Sequence, residues 1–175
     1  MIWKPNVTVA SIIEIDGKFL MVEEESAAGP VLNQPAGHLE PNESMQQAVI
    51  RETLEETGHS FTPTSIVGSY LWHNPDNETT YFRTTYQGEV CLETVNDALD
   101  DGIIQALWMS LDEIKNNQQR LRSPVILESI NDSEHDFCVV VVAIRNLDPF
   151  SKYATAHSAG HGTRDCMSQP GREHQ

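Results

Sequence analysis

Apolar residues alternate with polar ones, or form short runs, over residues 7 to 15 and 18 to 23, the pattern of two β-strands. Asp16-Gly17 stands between them. Asp-Gly accepts the positive φ that a two-residue hairpin loop needs, so the pair predicts a β-hairpin. Residues 24 to 30, EESAAGP, lose the pattern and predict a loop. Residues 31 to 34 predict a short strand leading into Pro35-Ala36-Gly37. The period then changes from two to 3.6. Met45, Ala48, Val49, Glu52, Glu55 and Glu56 fall on one broad face of a helix expected over about residues 43 to 57. Pro41-Asn42 breaks the chain before it, Asn42 is the N-cap candidate, and Gly58 is the expected stop. Strand patterns return at 65 to 72, 79 to 92 and 103 to 109. Residues 111 to 117 and 124 to 131 read as helices, the first with Asp112-Glu113 in its opening turn, the second opened by Pro124. Residues 137 to 144, FCVVVVAI, predict a strand buried on both faces. Mixed strands with few helices indicate the α/β class, a sheet covered by helices.

Composition changes after residue 150. Residues 1 to 150 are expected to form one domain, and 175 residues suffice for a proper core. Residues 151 to 175 carry Gly, Ser, His and Pro without apolar periodicity and predict a disordered tail. His157, His161 and His174 are irregularly spaced there, with no cysteine or carboxylate frame, and read as solvated. The net charge is −15, from 26 acidic and 11 basic residues. Such a balance argues against nucleic acid or an anionic membrane as the main partner, and no apolar run approaches a membrane span. Cys91, Cys138 and Cys166 are scattered, odd in number and lack CxxC spacing, which predicts reduced thiols. The opening MIWKPNVTVA lacks the layout of a secretory signal, so a cytoplasmic location is expected. The chain is expected as a monomer or homodimer.

The acidity becomes informative on the helix over 43 to 57. Glu52, Glu55 and Glu56 crowd its C-terminal turns, where the helix dipole already disfavours negative charge. Glu52 and Glu56 also form a like-charge pair four apart, which costs roughly a few tenths of a kcal/mol. The apolar half of the face anchors the helix, so the acidic half is held close to the protein body. Partly buried carboxylates need partners or they protonate. Arg51 can serve one or two of them, not all. Clustered hard oxygen donors suit Mg²⁺ or Mn²⁺. The alternative is a solvated acidic face laced with salt bridges. Gly37 and Glu43, at fixed distances upstream, favour the metal.

Gly37, five residues, Glu43, seven residues, Arg51-Glu52, two residues, Glu55-Glu56, one residue and Gly58 together resemble the Nudix box. All seven fixed positions are present. Two positions that are usually hydrophobic hold Thr53, whose methyl can still pack, and His59, at the helix exit. The resemblance implies a Nudix-type α/β/α sandwich with a mixed β-sheet and hydrolysis of phosphoanhydride bonds. It implies Glu52 and Glu56 as leading metal ligands, Glu55 as a third ligand or the catalytic base, and the Gly37 carbonyl completing the shell. Arg51 is implied to orient the glutamates and Glu43 to brace the loop. Polyphosphate and an acidic pocket are reconciled by bridging divalent cations. A carboxylate outside the box often assists in this family; Asp100 and Asp101, just before a strand ending at Trp108, are the candidates. Asp101 is taken with Glu55, Arg51 and Glu43 as the expected catalytic set; the alternative for the Asp-Asp-Gly segment is a plain turn.

Over residues 1 to about 130 the chain resembles a phosphatase branch of that family. Lys4-Pro5, residues 7 to 10 (VTVA), Val22-Glu23-Glu24, NQPAGHLE at 33 to 40, LRSP at 121 to 124 and Glu128-Ser129-Ile130 carry the resemblance. It implies release of orthophosphate from nucleoside tri- and diphosphates and from the thiamine precursor hydroxymethylpyrimidine diphosphate. An ADP-ribose or dinucleotide pyrophosphatase is the alternative, because Pro-Ala-Gly followed by Leu-Glu also occurs in that branch. A non-catalytic nucleotide-binding module is a third, disfavoured by the complete set of box glutamates. Arg83 and Arg122, rare cations here, read as bidentate phosphate grips or as structural ion pairs. Asn33 and Gln34 can hydrogen-bond a base edge. Trp72, with Trp3 and Tyr81, can stack on a heterocycle or pack in the core.

Overall fold

Asp16 and Gly17 both take positive φ, 52° and 74°, in the tight hairpin turn the sequence predicts. The turn joins β2 (Glu14–Ile15) to β3 (Lys18–Glu24). The single run expected over 7 to 15 is divided. β1 (Asn6–Ile12) ends just before Ile13, whose carbonyl accepts the Leu20 N–H at 2.9 Å, so the two halves serve different sheets. The computed structural model describes residues 2–94, 99–134 and 145–147. The strand expected at 137 to 144 and the tail expected from 151 lie outside the described residues.

One sheet has the order β5 (Ala36–His38), β1, β7 (Thr79–Thr94), β6 (His59–Asn74), β9 (Arg145–Leu147). It is mixed: β1–β7 and β6–β9 are parallel, β1–β5 and β6–β7 antiparallel. In the second sheet β3 has β2 and then β4 (Val31–Asn33) as antiparallel partners, with β8 (Ile103–Ser110) also paired to it. The helices are α1 (Met45–Thr57), α2 (Leu111–Asn116) and α3 (Val125–Ser133), with a 3-10 turn at Gln118–Arg120.

Strand alternation divides the core between two helical layers. Val9, Ile13 and Leu20 pack with Phe61 and with Ala48 and Val49 of α1. Ile12, Phe19, Met21, Leu32 and Met109 pack with Ile114 of α2 and Ile126 and Ile130 of α3. The strands thus lie between α1 and the α2–α3 pair, the α/β/α sandwich expected. No described helix is long and apolar enough to cross a membrane.

Three local expectations are corrected. α1 starts at Met45, and its N-cap is Ser44 rather than Asn42. Ser44 Oγ accepts the Gln47 N–H at 3.2 Å while Gln47 Oε1 accepts the Ser44 N–H at 2.8 Å. This reciprocal box satisfies two end donors, and Asn42 instead takes a turn with φ of 71°. Glu43 therefore stands outside the helix. β6 begins at His59, well before 65, because Pro63 falls at a bulge where no ladder N–H is required. Ala36–His38, read as a connection, is a strand paired with β1.

Candidate active site

Ala48 and Val49 are fully buried and pin α1 to the sheets. Burying an aliphatic side chain of valine size stabilises by about 1.5–3 kcal/mol, more than the few tenths lost to the Glu52–Glu56 repulsion. The acidic half of the face is thereby forced inward. Glu52 is 8% exposed and Glu56 6%. Thr53, at a usually hydrophobic position, is fully buried; its Oγ1 donates to Val49 O at 2.7 Å and pairs with Ser11 Oγ at 2.9 Å. Gly58, with φ of 73°, closes the helix by donating to Leu54 O at 2.8 Å.

β5 lies directly against this acidic half. Ala36 N–H donates to Glu56 Oε2 at 2.8 Å. A Cβ at Gly37 would stand 2.0 Å from the Glu52 carboxyl carbon, so only glycine leaves room for the carboxylate there. This is the physical reason for glycine fifteen positions before Glu52.

Arg51 gathers the remaining glutamates. It donates from Nε and Nη2 to Glu43 (3.1 and 2.7 Å), from Nη1 to Glu52 Oε1 (2.8 Å) and Glu55 Oε2 (2.9 Å), and from Nη2 to His38 O (3.0 Å). These bonds, Glu43's first, raise the Arg51 pKa above its ordinary value. The same guanidinium, helped by the Glu40 N–H, holds the Glu43 carboxyl below the usual range. Burial raises Glu52 more than Arg51 lowers it. Burial also pushes Glu56 up to about 8, against the opposing Ala36 hydrogen bond, and the charges of Glu24, Glu52 and Asp100 add to the rise.

Asp100 N–H donates to Glu55 O at 2.9 Å, docking the turn before β8 onto the end of α1. The Asp100 charge acts on both Glu52 and Glu56. Asp101 is exposed in the same turn. Glu24, at the end of β3, is a carboxylate that the spacing of the box could not reveal. It accepts from Asn33 Nδ2 at 3.2 Å and pairs with Arg122 Nε at 3.5 Å.

The residues fit a hard divalent cation. One arginine serves Glu43, Glu52 and Glu55, while Glu56 has a backbone N–H and the charge of Arg83 set against those of Glu24, Glu52 and Asp100, so the donor set is oxygen-rich and short of positive charge. With Arg51 drawing Glu52 and Glu55 to itself, no three His, Cys, Asp or Glu side chains among the described residues are gathered as a metal shell.

Of the expected substrate contacts, Asn33, Gln34 and Arg83 come together. Arg83, 8% exposed, donates from Nη2 to Gln34 Oε1 at 2.6 Å and from Nη1 to Asn33 Oδ1 at 3.5 Å. Arg122 is half exposed on the Glu24 rim. Trp72 stacks on Tyr81 with centroids 5.8 Å apart and planes 22° apart, and the His38 ring lies 6.3 Å beyond Tyr81. Trp3 is 64% exposed. Ser129, from α3, completes the Gln34 contacts and was not anticipated.

The model of the NUDIX domain matches residues 3–129. Phosphatase NudJ of Escherichia coli strain K12 is 39% identical over 128 residues, 73% of this chain and 82% of that protein. A NUDIX hydrolase from Nitrosomonas europaea superposes with a TM-score of 0.72 at 50% identity, covering 75% of this chain and 89% of that one. An ADP-ribose pyrophosphatase from Streptococcus suis shares the fold, with a TM-score of 0.59 at 17% identity over 82% of this chain and 99% of that one. Together with the sandwich and the box geometry, these matches place the chain in the Nudix family. It is a Nudix hydrolase, an enzyme of phosphoanhydride bonds, homologous to the NudJ phosphatases.

Proposed function

We propose that this enzyme is a Mg²⁺- or Mn²⁺-dependent phosphatase that releases orthophosphate from nucleoside tri- and diphosphates and from hydroxymethylpyrimidine diphosphate, acting in the cytoplasm. The observation that carries the metal reading is the buried Glu52–Glu56 pair held against Gly37 and Ala36. The phosphatase reading is supported by the 39% identity to NudJ.

Glu52, Glu56 and the Gly37 carbonyl would hold the cation, with Glu55 as a further ligand or the base. When bound, the cation neutralises phosphate charge and lowers the pKa of a coordinated water. Arg51 keeps Glu52 and Glu55 from swinging outward, and Glu43 fixes Arg51 from outside the helix. Glu55, half-buried, has Oε2 on Arg51 and its other oxygen available to accept the water's proton. Asp100 supports this step by holding the end of α1. Arg122 grips the phosphate chain, and the Trp72–Tyr81 pair offers a flat apolar wall to a pyrimidine or purine ring.

The test incubates the enzyme with a nucleoside triphosphate, hydroxymethylpyrimidine diphosphate and ADP-ribose in parallel, with Mg²⁺ and with excess EDTA. Orthophosphate from the first two, little cleavage of the third and no turnover in EDTA are expected. Preferential cleavage of ADP-ribose into two monophosphates would move the chain to the pyrophosphatase branch. Full turnover in EDTA would refute the metal.

A further inference from the structure

We propose that Arg83, Gln34 and Ser129 form a buried bracket that positions residues 34–37, and through them the carboxylates of Glu56 and Glu52. Arg83 is on this account a positioning residue and not a phosphate contact. The proposal rests on the reading of Glu52 and Glu56 as metal ligands.

Gln34 is 1% exposed, although its amide can make four hydrogen bonds. Its Oε1 accepts from Arg83 Nη2 at 2.6 Å and its Nε2 donates to Ser129 Oγ at 3.2 Å. Ser129 is fully buried and lies 3.1 Å from Ile126 O, so the contact is tied to the body of α3. Arg83 comes from β7, in register with Thr8 of β1, which is itself in register with His38 of β5. Three elements, α3, β7 and the end of β4, therefore meet at one amide.

A buried guanidinium is costly unless its donors and its charge are both met. Here two side-chain amides take its Nη groups, and the charges of Glu56 and Glu24 favour its cationic form. Burial still pushes Arg83 down to about 10, and its Nε has no hydrogen-bond partner among the described residues. A side chain this enclosed is poorly placed to receive a phosphate, whereas Arg122 is half exposed.

Displacement of Gln34 travels to the glutamates through a stiff and short connection. Pro35 has a ring-restricted φ, and its carbonyl accepts the Ser11 N–H at 2.9 Å. The next residue, Ala36, donates to Glu56 at 2.8 Å, and the one after it, Gly37, lies against the Glu52 carboxylate. Glu56 thus takes a hydrogen bond, and Glu52 a close packing surface, from a segment whose upstream end is the Gln34 bracket. Groups that orient metal ligands from behind commonly carry a large share of metal affinity.

The test compares Arg83→Lys and Ser129→Ala with the unaltered full chain. Mn²⁺ binding is titrated without substrate, and kcat, KM for a nucleoside triphosphate and the melting temperature are measured alongside. In Arg83→Lys the Mn²⁺ dissociation constant should rise about tenfold and kcat fall about tenfold or more, with KM changed less than about threefold. Ser129→Ala strands no charge and should move metal binding and kcat the same way by about two- to fivefold, which decides the matter if Arg83→Lys does not fold. A rise in KM with Mn²⁺ binding unaltered would make Arg83 a phosphate contact and overturn the bracket. A lowered melting temperature with unaltered Mn²⁺ binding and kcat would reduce it to structure alone, overturning it equally. Glu56→Gln is the reference: if the unaltered chain binds Mn²⁺ no better than this variant, the metal assignment fails first and the bracket with it.

Discussion

At the scale of single residues, Glu56 and Gly37 make opposite demands on the same few ångströms. Glu56 holds its proton up to about pH 8 in the metal-free protein, against an ordinary value of 4.5. Folding therefore favours the protonated form. That contribution is fully present below about pH 4.5 and is lost as pH rises through about 8, on the order of a few kcal/mol across the window at ~1.4 kcal/mol per unit. Glu52, also raised by burial, acts in the same direction. Glu23, Glu43 and Glu113 are lowered, so their effect appears only toward acid pH. The metal-free melting temperature should fall between about pH 5 and about pH 8, and Glu56→Gln should flatten that slope while lowering kcat by roughly two or more orders of magnitude. Equal slopes in variant and parent would contradict the burial of this carboxyl. At Gly37 the obstacle to a side chain is the far end of Glu52, which can swing away. Gly37→Ala should thus keep the fold, read by circular dichroism, and lose about tenfold or more in kcat as Glu52 is displaced. A fully active Gly37→Ala would mean that Glu52 is not needed where it stands.

At the scale of elements, α1 is a helix whose two ends are built differently. Its start relies on the Ser44–Gln47 box, and its last turn carries acids with no basic residue to offset the dipole. Ser44→Ala should lower stability by about 1 kcal/mol, read as a shift in the denaturation midpoint at constant slope. Asn42→Gly should be neutral or slightly stabilising, since φ of 71° at that position suits glycine. If Asn42→Gly proved the more damaging, the cap would have to be reassigned. β5 matters in the same way: three residues of strand, Ala36–His38, bring a backbone N–H, a side-chain-free Cα and a carbonyl against the acidic end of α1 and its arginine.

At the scale of the whole molecule, the described site residues run from Glu24 to Ser129, and the family match ends at residue 129. Chain ending at residue 150 should retain kcat/KM within about twofold, because residues 151 to 175 carry Gly, Ser, His and Pro without apolar periodicity and the family match ends at residue 129. A large loss on this truncation would show that residues 151–175 complete the domain or an assembly. The excess of acid is also a property of the whole. Arg51 serves Glu43, Glu52 and Glu55 together, so a divalent cation is the natural counter-charge for both the remaining carboxylate and a polyphosphate.

What the sequence determined by itself is local. Asp16-Gly17 closes a hairpin because its backbone preferences are carried by two adjacent residues. Of the face expected from helical period, Ala48, Val49, Glu52 and Glu56 do turn inward, joined by Thr53 and Thr57, while Met45 and Glu55 stay only partly buried; Gly58 ends the helix for its own φ. The spacing of the box likewise names Gly37, Glu43, Arg51, Glu52, Glu55 and Glu56 without reference to any other segment. Tertiary structure decided the rest, because the environment of a charge depends on what arrives from far along the chain. Gln34 meets Arg83, 49 positions on, and Ser129, 95 positions on. Glu24 acts on Glu56 only because β3 and β4 pair beside α1, and Asp100 meets the end of α1 through its backbone N–H on Glu55 O. Periodicity can say which carboxylates turn inward; only the assembled sheets decide how deeply they are buried, and so how strongly they call for a cation.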